Sequence, residues 1–172
     1  DFVGTHIVNT RRITLVHAAV KKHDNLVVHY KKEDWDLALR VNLTANFLLT
    51  QAILPTMIRE RWGRIIHFSS LGGTEGRPGT LAYATCKAGL LGLSNVLAKD
   101  YARFHITSNT LMLGHFDTGL YRSLPETEQR RLIASIPTKQ LGDVADIAHA
   151  IAFLIKANYV NGATIRIDGG AA

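Results

Sequence analysis

The run RIIHFSSLGGTEGRPGTLAYATCK, Arg64 to Lys87, constrains the fold more than any other stretch of this chain. Its apolar opening, Arg64 to Phe68, has the length and composition of a short buried strand. A loop rich in Gly and Pro follows, then a helix of small residues that carries Tyr83 and Lys87. Strand, loop and helix in that order build an open α/β sheet, in which ligands bind beyond the carboxyl ends of the strands. Ser70 stands at that end.

Tyr83 and Lys87 are four residues apart, so on a helix they share one face, one turn apart. A free phenol ionises near pH 10, too high for efficient proton exchange near neutrality. An ammonium held about 4 Å away at an effective dielectric near 20 is worth about 4 kcal/mol, or roughly three decades of acidity. The same spacing also suits an interfacial aromatic beside a solvated surface charge. What changes the reading is Ser70, thirteen residues before Tyr83.

Together, Ser70 and Tyr83-x-x-x-Lys87 resemble the signature of the short-chain dehydrogenase/reductase family, a Ser on the loop after the fifth strand followed by Tyr-x-x-x-Lys on the next helix. The spacing is similar to that of the β-ketoacyl carrier-protein reductase branch, and the resemblance runs from about Ile13 to the end of the chain. It implies an α/β fold with a Rossmann-type doubly wound parallel sheet. The family's opening strand and T-G-x-x-x-G-x-G turn, where a helix start receives the pyrophosphate, have no counterpart before Ile13. The expectation is therefore one family domain over residues 1–172, lacking the N-terminal β-α units and belonging to a longer protein. Asp1 would be the Asp after the third strand, with 1–12 short for the intervening helix. A sheet without that half would expose a parallel strand edge.

Further residues match the family or depart from it. His17-Ala18-Ala19-Val20 stands where the family has Asn-Asn-Ala-Gly. There Val20 adds bulk, and His17 can take over part of the asparagines' hydrogen bonding. Val41-Asn42-Leu43 matches the helix-borne Asn whose effect on the local backbone seats a water joining Lys to solvent. Gly114-His115-Phe116-Asp117-Thr118 matches the loop that holds the nicotinamide carboxamide, with Leu113 replacing a proline. The resemblance thus implies Asn42, Ser70, Tyr83 and Lys87 as catalytic residues. It implies Ala18, Ala19, Tyr83, Lys87, Gly114, Phe116 and Thr118 as cofactor contacts, with NADP or NAD as the cofactor and no metal.

Residues Lys32 to Arg61 form the longest helical pattern. Asp34, Trp35, Leu39, Asn42, Ala45, Leu49 and Ala52 trace one stripe, while Leu37, Val41, Leu48 and Leu54 lie on other sides. A helix this apolar is buried in a core or against another subunit. Pro55 is expected to bend or break it, and Asn42, polar in an apolar stripe, needs a partner. Ile13–Ala18 and Ile106–Leu113 read as strands and Leu81–Phe104 as a helix. The polar segment 119–137 lies where the family carries its substrate lid. Asp143 caps a helix with Val144, Ile147, Ala148, Ile151, Leu154 and Ile155 inward. The closing Asp168-Gly169-Gly170 matches a family region used in tetramer contacts.

At 172 residues the chain can build one substantial core, and no apolar run approaches the roughly 20 residues a bilayer span needs. The single cysteine, Cys86, excludes an internal disulfide and a cysteine-rich metal site. His115 and Asp117 are too few to hold a metal. A net charge of +6 suits an acidic partner, but the basic residues fall in scattered pairs without the aromatic platform nucleic acid requires. The cluster Arg59, Arg61 and Arg64 is the candidate for meeting an acidic acyl carrier at the site mouth. The expected protein is a cytoplasmic homodimer or homotetramer reducing a small-molecule or acyl-thioester carbonyl, without nucleic-acid or membrane partners. The alternative is a non-catalytic scaffold or regulatory member of the same family, favoured by the altered Asn-Asn-Ala-Gly segment and the lost proline.

Overall fold

A computed structural model describes residues 12–171, so the placement of Asp1 and of the segment up to Arg11 lies outside the described residues. Four strands, β1 (Ile13–His17), β2 (Gly63–Ser70), β3 (Ile106–Leu113) and β4 (Thr164–Ile167), form one sheet in the order β1-β2-β3-β4. Every neighbouring pair is parallel, with Ile13 opposite Gly63 and Gly63 opposite Ile106. Parallel neighbours need long crossovers, and helices supply them. Between β1 and β2 run α1 (Lys32–Leu39) and α2 (Ala45–Glu60); between β2 and β3, α3 (Gly72–Glu75) and α4 (Leu81–Tyr101). Between β3 and β4 come α5 (Gly119–Arg122), α6 (Glu126–Ser135) and α7 (Val144–Lys156).

Side-chain alternation along the strands divides the interior in two. Leu15, Ile65 and Ile106 meet Leu54 and Met57 of α2 and Leu97 of α4 on one face. Ile66 and Leu111, with Val16 and Phe68, meet Leu154 of α7 on the other. Helices on both faces of a parallel sheet make the fold Rossmann-like α/β, as expected. The outer edge of β1 has no strand partner among the described residues. Asp143 does cap α7, its Oδ1 accepting from the Ala145 N–H at 2.9 Å. The inner face of α7 is Ile147, Ala150, Ile151 and Leu154, whereas Val144 and Ala148, expected inside, are exposed. With apolar residues on several sides of that helix, composition alone does not select the face that meets the sheet.

The long helical stretch departs from expectation in two ways. Pro55 lies within an unbroken α2, on its exposed side, where solvent can serve the Gln51 carbonyl left without a donor one turn back. The irregularity falls instead at Arg40–Thr44, a π-helical turn between α1 and α2. The buried stripe is also different: Ala38, Asn42, Asn46, Thr50, Leu54 and Met57 face inward, while Ala52 is exposed. Its middle is polar, so counting apolar residues points elsewhere. Phe47 and Leu48 on the outer side remain about half exposed (47% and 52%).

By length and composition two helical stretches, Lys32–Glu60 and Leu81–Phe104, are apolar enough to cross a membrane, although neither holds an uninterrupted apolar run. Both pack on the sheet and bury hydrogen-bonded polar groups, Asn42, Asn46 and Thr50 on one, Lys87 and Ser94 on the other. These features are those of core helices in an α/β domain.

Candidate active site

Because all strands run in one direction, the loops after β1, β2 and β3 open on the same edge of the sheet. Ser70 ends β2, and its Oγ accepts from the Gly72 N–H at 3.3 Å. Tyr83 lies in the first turn of α4. A Cβ on Gly72 would stand 3.6 Å from Tyr83 Cε1 and 3.7 Å from Ser70 Oγ, so the two side chains converge on one point beside Gly72. Lys87, one turn further, is only 5% exposed. Its Nζ donates to the Phe68 carbonyl at 2.6 Å and lies 5.7 Å from the centroid of the Tyr83 ring.

Burial lowers the Lys87 pKa from 10.5 to about 8, with Cys86 acting weakly the other way. Two further residues, not singled out in the sequence, fix this part of α4 against β2. The Ser69 hydroxyl donates to the Lys87 carbonyl at 2.8 Å. Gly73 sits so close that a Cβ would lie 2.9 Å from both Lys87 Cβ and the Ala88 backbone nitrogen. The glycines of this loop therefore matter for close approach as well as for turning.

Asn42 finds the partner it needs in the loop after β1. Its Nδ2 donates to the Lys21 carbonyl at 2.7 Å, and its Oδ1 accepts from the Lys21 N–H at 2.9 Å. The Asn42 carbonyl in turn accepts from Asn46 Nδ2 at 3.1 Å. Beneath Asn46 lie His17 and His67, opposite each other on β1 and β2, stacked with centroids 4.9 Å apart and planes within 7°. His17 Nε2 is 3.1 Å from Thr50 Oγ1, and His67 Nδ1 is 3.2 Å from Asn46 Oδ1. Desolvation lowers the pKa of His17 to about 4; desolvation, with charges at His17 and Lys87, lowers that of His67 to about 3. His17 does take part in hydrogen bonding. The role of His67 escaped the sequence reading, because a His inside an apolar strand carries no periodic signal.

The remaining residues fall around the same edge. Ala18 and Ala19 are exposed on the loop that leaves β1. Gly114 directly follows β3 and lies against the residues after β4, where a Cβ would lie 2.7 Å from Asp168 Cα. Phe116 is 7% exposed, and a Cβ on Gly142 would overlap its ring, so that ring anchors the loop. Thr118 is exposed and immediately precedes α5. Asp117 is held by Arg122 through two hydrogen bonds, which lower its pKa, while His115 Nε2 lies 3.1 Å from Arg77. The two residues of the apparent metal pair thus have separate partners.

The arginine cluster is not at this mouth. Arg61 and Arg64 lie at the opposite end of β2, an eight-residue strand that spans roughly 23 Å. There they line a cavity of about 640 Å³ together with Arg12, Trp62, His105 and Thr107. Arg64 is 2% exposed and donates to the carbonyls of Gly63, His105 and Ile155 and to Asn158 Oδ1, so it is a structural tie. Sequence proximity to β2 gave no indication of which end of the strand the cluster occupies.

A parallel sheet carrying Ser, Tyr and Lys at its carboxyl edge defines a Rossmann-like α/β class. Comparison with known proteins narrows it: a family model described as Enoyl-(Acyl carrier protein) reductase matches residues 9–172. Nodulation protein G of Rhizobium sp. (strain N33) and of Rhizobium meliloti (strain 1021) are 39% identical over 160 residues, covering 92% of this chain. The 3-oxoacyl-(acyl-carrier-protein) reductase FabG of Escherichia coli (strain K12) is 37% identical over 158 residues, 91% of this chain. The chain belongs to the short-chain dehydrogenase/reductase family, in its ketoreductase-like branch. It spans 65% of the length of each of these relatives.

Proposed function

We propose that the protein carrying this chain is an NAD(P)-dependent oxidoreductase that moves a hydride between the nicotinamide and a ketone or secondary alcohol. A 3-oxoacyl thioester is the substrate class suggested by the name of the FabG relatives. The observation that carries this reading is the meeting of Ser70 and Tyr83 beside Gly72, with the buried Lys87 ammonium one helical turn behind. The residues suit such a cofactor: an ammonium and a phenol for ribose hydroxyls, exposed small residues at Ala18 and Ala19, and the Gly114–Thr118 loop for a carboxamide. When bound, the cofactor supplies the hydride.

The chain's own residues polarise and orient. Ser70 Oγ–H donates to the carbonyl oxygen and stabilises the charge that develops there. Tyr83 passes the proton to that oxygen, and Lys87 stabilises negative charge on the phenol oxygen while holding the ribose. Asn42, at the π-turn, supports the path that resupplies the proton. Replacing Tyr83 by Phe in the full-length protein should abolish single-turnover ketone reduction while the cofactor still binds through its other contacts. Undiminished turnover in that variant would refute the proposal.

Assembly as a homodimer or homotetramer follows in the same reading from Phe47 and Leu48 on α2 and Val96 on α4, all about half exposed. A cytoplasmic setting and a single catalytic domain belong to it as well. The non-catalytic alternative is favoured by the His17-Ala18-Ala19-Val20 segment in place of the family's asparagines and glycine and by Leu113 in place of its proline. Titration of the full-length protein with NADH and with NADPH, followed by nicotinamide fluorescence, separates the two and also reads cofactor preference. No response to either would favour the scaffold.

A further inference from the structure

The stacked imidazoles beneath Asn46 form a continuous polar layer with the π-turn, and every member is buried: Asn42 1% exposed, Asn46 4%, Thr50 2%, His17 7% and His67 0%. The bonds in this layer fix one another's direction. Asn46 Nδ2 donates to the Asn42 carbonyl, so Asn46 Oδ1 faces His67 Nδ1, and that nitrogen must carry the proton. Reversing the His67 tautomer would set a lone pair against Asn46 Oδ1, and reversing Asn46 would set its oxygen against the Asn42 carbonyl. His67 Nε2 is then a lone pair with no hydrogen-bond partner among the described residues, tolerated although such a group is costly when buried.

We propose that His67, braced by its stack on His17, is a positioning residue. Its Nδ1–H orients the Asn46 amide, which holds the Asn42 carbonyl in the π-turn and so sets the geometry of the Asn42–Lys87 side of the site. The inference rests on the oxidoreductase reading for its consequence in catalysis, but the tautomer it requires does not. The clamp between the Asn42 side chain and the Lys21 backbone does not pass through His67. Loss of the His67 bond should therefore act on turnover more than on cofactor binding.

Two measurements on the full-length protein test this. Long-range proton–nitrogen NMR should show His67 neutral with the proton on Nδ1 at pH 7; an Nε2–H tautomer or a charged ring would overturn the proposal whatever the activity. In steady-state ketone reduction, His67→Phe keeps an aromatic ring but loses the donor. It should lower kcat about tenfold with the cofactor KM within about threefold of the parent. His67→Asn, whose amide can donate to Asn46, should restore most of that loss. A folded His67→Phe with unchanged kcat, or a loss that His67→Asn does not rescue, would overturn the positioning role. If the parent protein reduces no ketone with either cofactor, the oxidoreductase reading fails, and the NMR result still decides the tautomer. Should His67→Phe fail to fold, the NMR result on the parent decides in the same way.

Discussion

Lowering the pH from 7.5 to 5 should remove about 4 kcal/mol of folding stability through His17 and His67 alone. Free imidazoles titrate at 6.5, whereas burial brings His17 to about 4 and His67 to about 3. The folded values lie below the unfolded one, so the unfolded chain binds more protons between them. Stability is therefore full above pH 6.5 and falls as the solution is acidified. At pH 5 the unfolded imidazoles are almost all charged and the folded ones almost all neutral, a difference of about 2 kcal/mol for each. Because the rings stack at 4.9 Å, charging one opposes charging the other, and the loss belongs to the pair. Against a typical total of about 5–15 kcal/mol this is a large share. The test is urea denaturation of the full-length protein and of a His17→Asn, His67→Asn double variant at pH 7.5, 6.5, 5.5 and 5. Smaller side chains change the variant's stability by a constant, so the slope carries the answer: the parent should lose about 4 kcal/mol more than the variant over that range. Parallel curves would show that these imidazoles are not buried neutral, and the reasoning about the polar layer would fall with them.

Lys87→Met tests the buried ammonium. With a folded value of about 8 against 10.5, the parent should gain about 3 kcal/mol relative to the variant between pH 8 and 10.5, since there only the unfolded lysine holds its proton. Denaturation at pH 7.5, 9 and 10 measures this, and no divergence would contradict it. Gly114→Ala drives a Cβ to 2.7 Å from Asp168 Cα, backbone that cannot step aside cheaply, so a loss of about 1–3 kcal/mol is expected from chemical denaturation. Arg64→Met leaves the groups it serves, the carbonyls of Gly63, His105 and Ile155 among them, without this donor and should cost about 3–5 kcal/mol. Arg64→Lys should recover little, because an ammonium cannot reproduce the planar fork. Near-parent stability of either Arg64 variant would show that the tie is not structural.

The strands and α4 were legible because their signals are local. An apolar run bounded by Gly and Pro marks β2, and β3 occupies the expected Ile106–Leu113 without change. Ser70, Tyr83 and Lys87 could be placed at one edge because a strand end and a helical turn fix their separation. Two other features could not be read. Beyond Asn42, the inner stripe runs through Asn46 and Thr50 of α2, and such polar residues count as outward until their partners His67 on β2 and His17 on β1 are known. The arginines before and in β2 were assigned to the wrong end of the strand, because a run of charges says nothing about which end of a parallel sheet holds the site.

The first of those misses, the polar stripe, bears on how the site is built. A layer of Leu and Val could fill the space between α2 and the C-terminal halves of β1 and β2, and it would avoid burying two imidazoles whose charged forms are so disfavoured. What apolar side chains cannot do is fix direction. A hydrogen-bonded layer ties the loop after β1 to the π-turn through Asn42 and Lys21, and the π-turn to β2 through Asn46 and His67. β2 then carries the Phe68 carbonyl that receives Lys87 and ends in Ser70. In such a chain of contacts a change of one donor reorients its neighbours, whereas a change of one methyl group merely alters packing. The polar layer thus sacrifices acid stability for a single arrangement of the groups around Lys87, and this is why its effects should be sought in the pH dependence of folding and in turnover together.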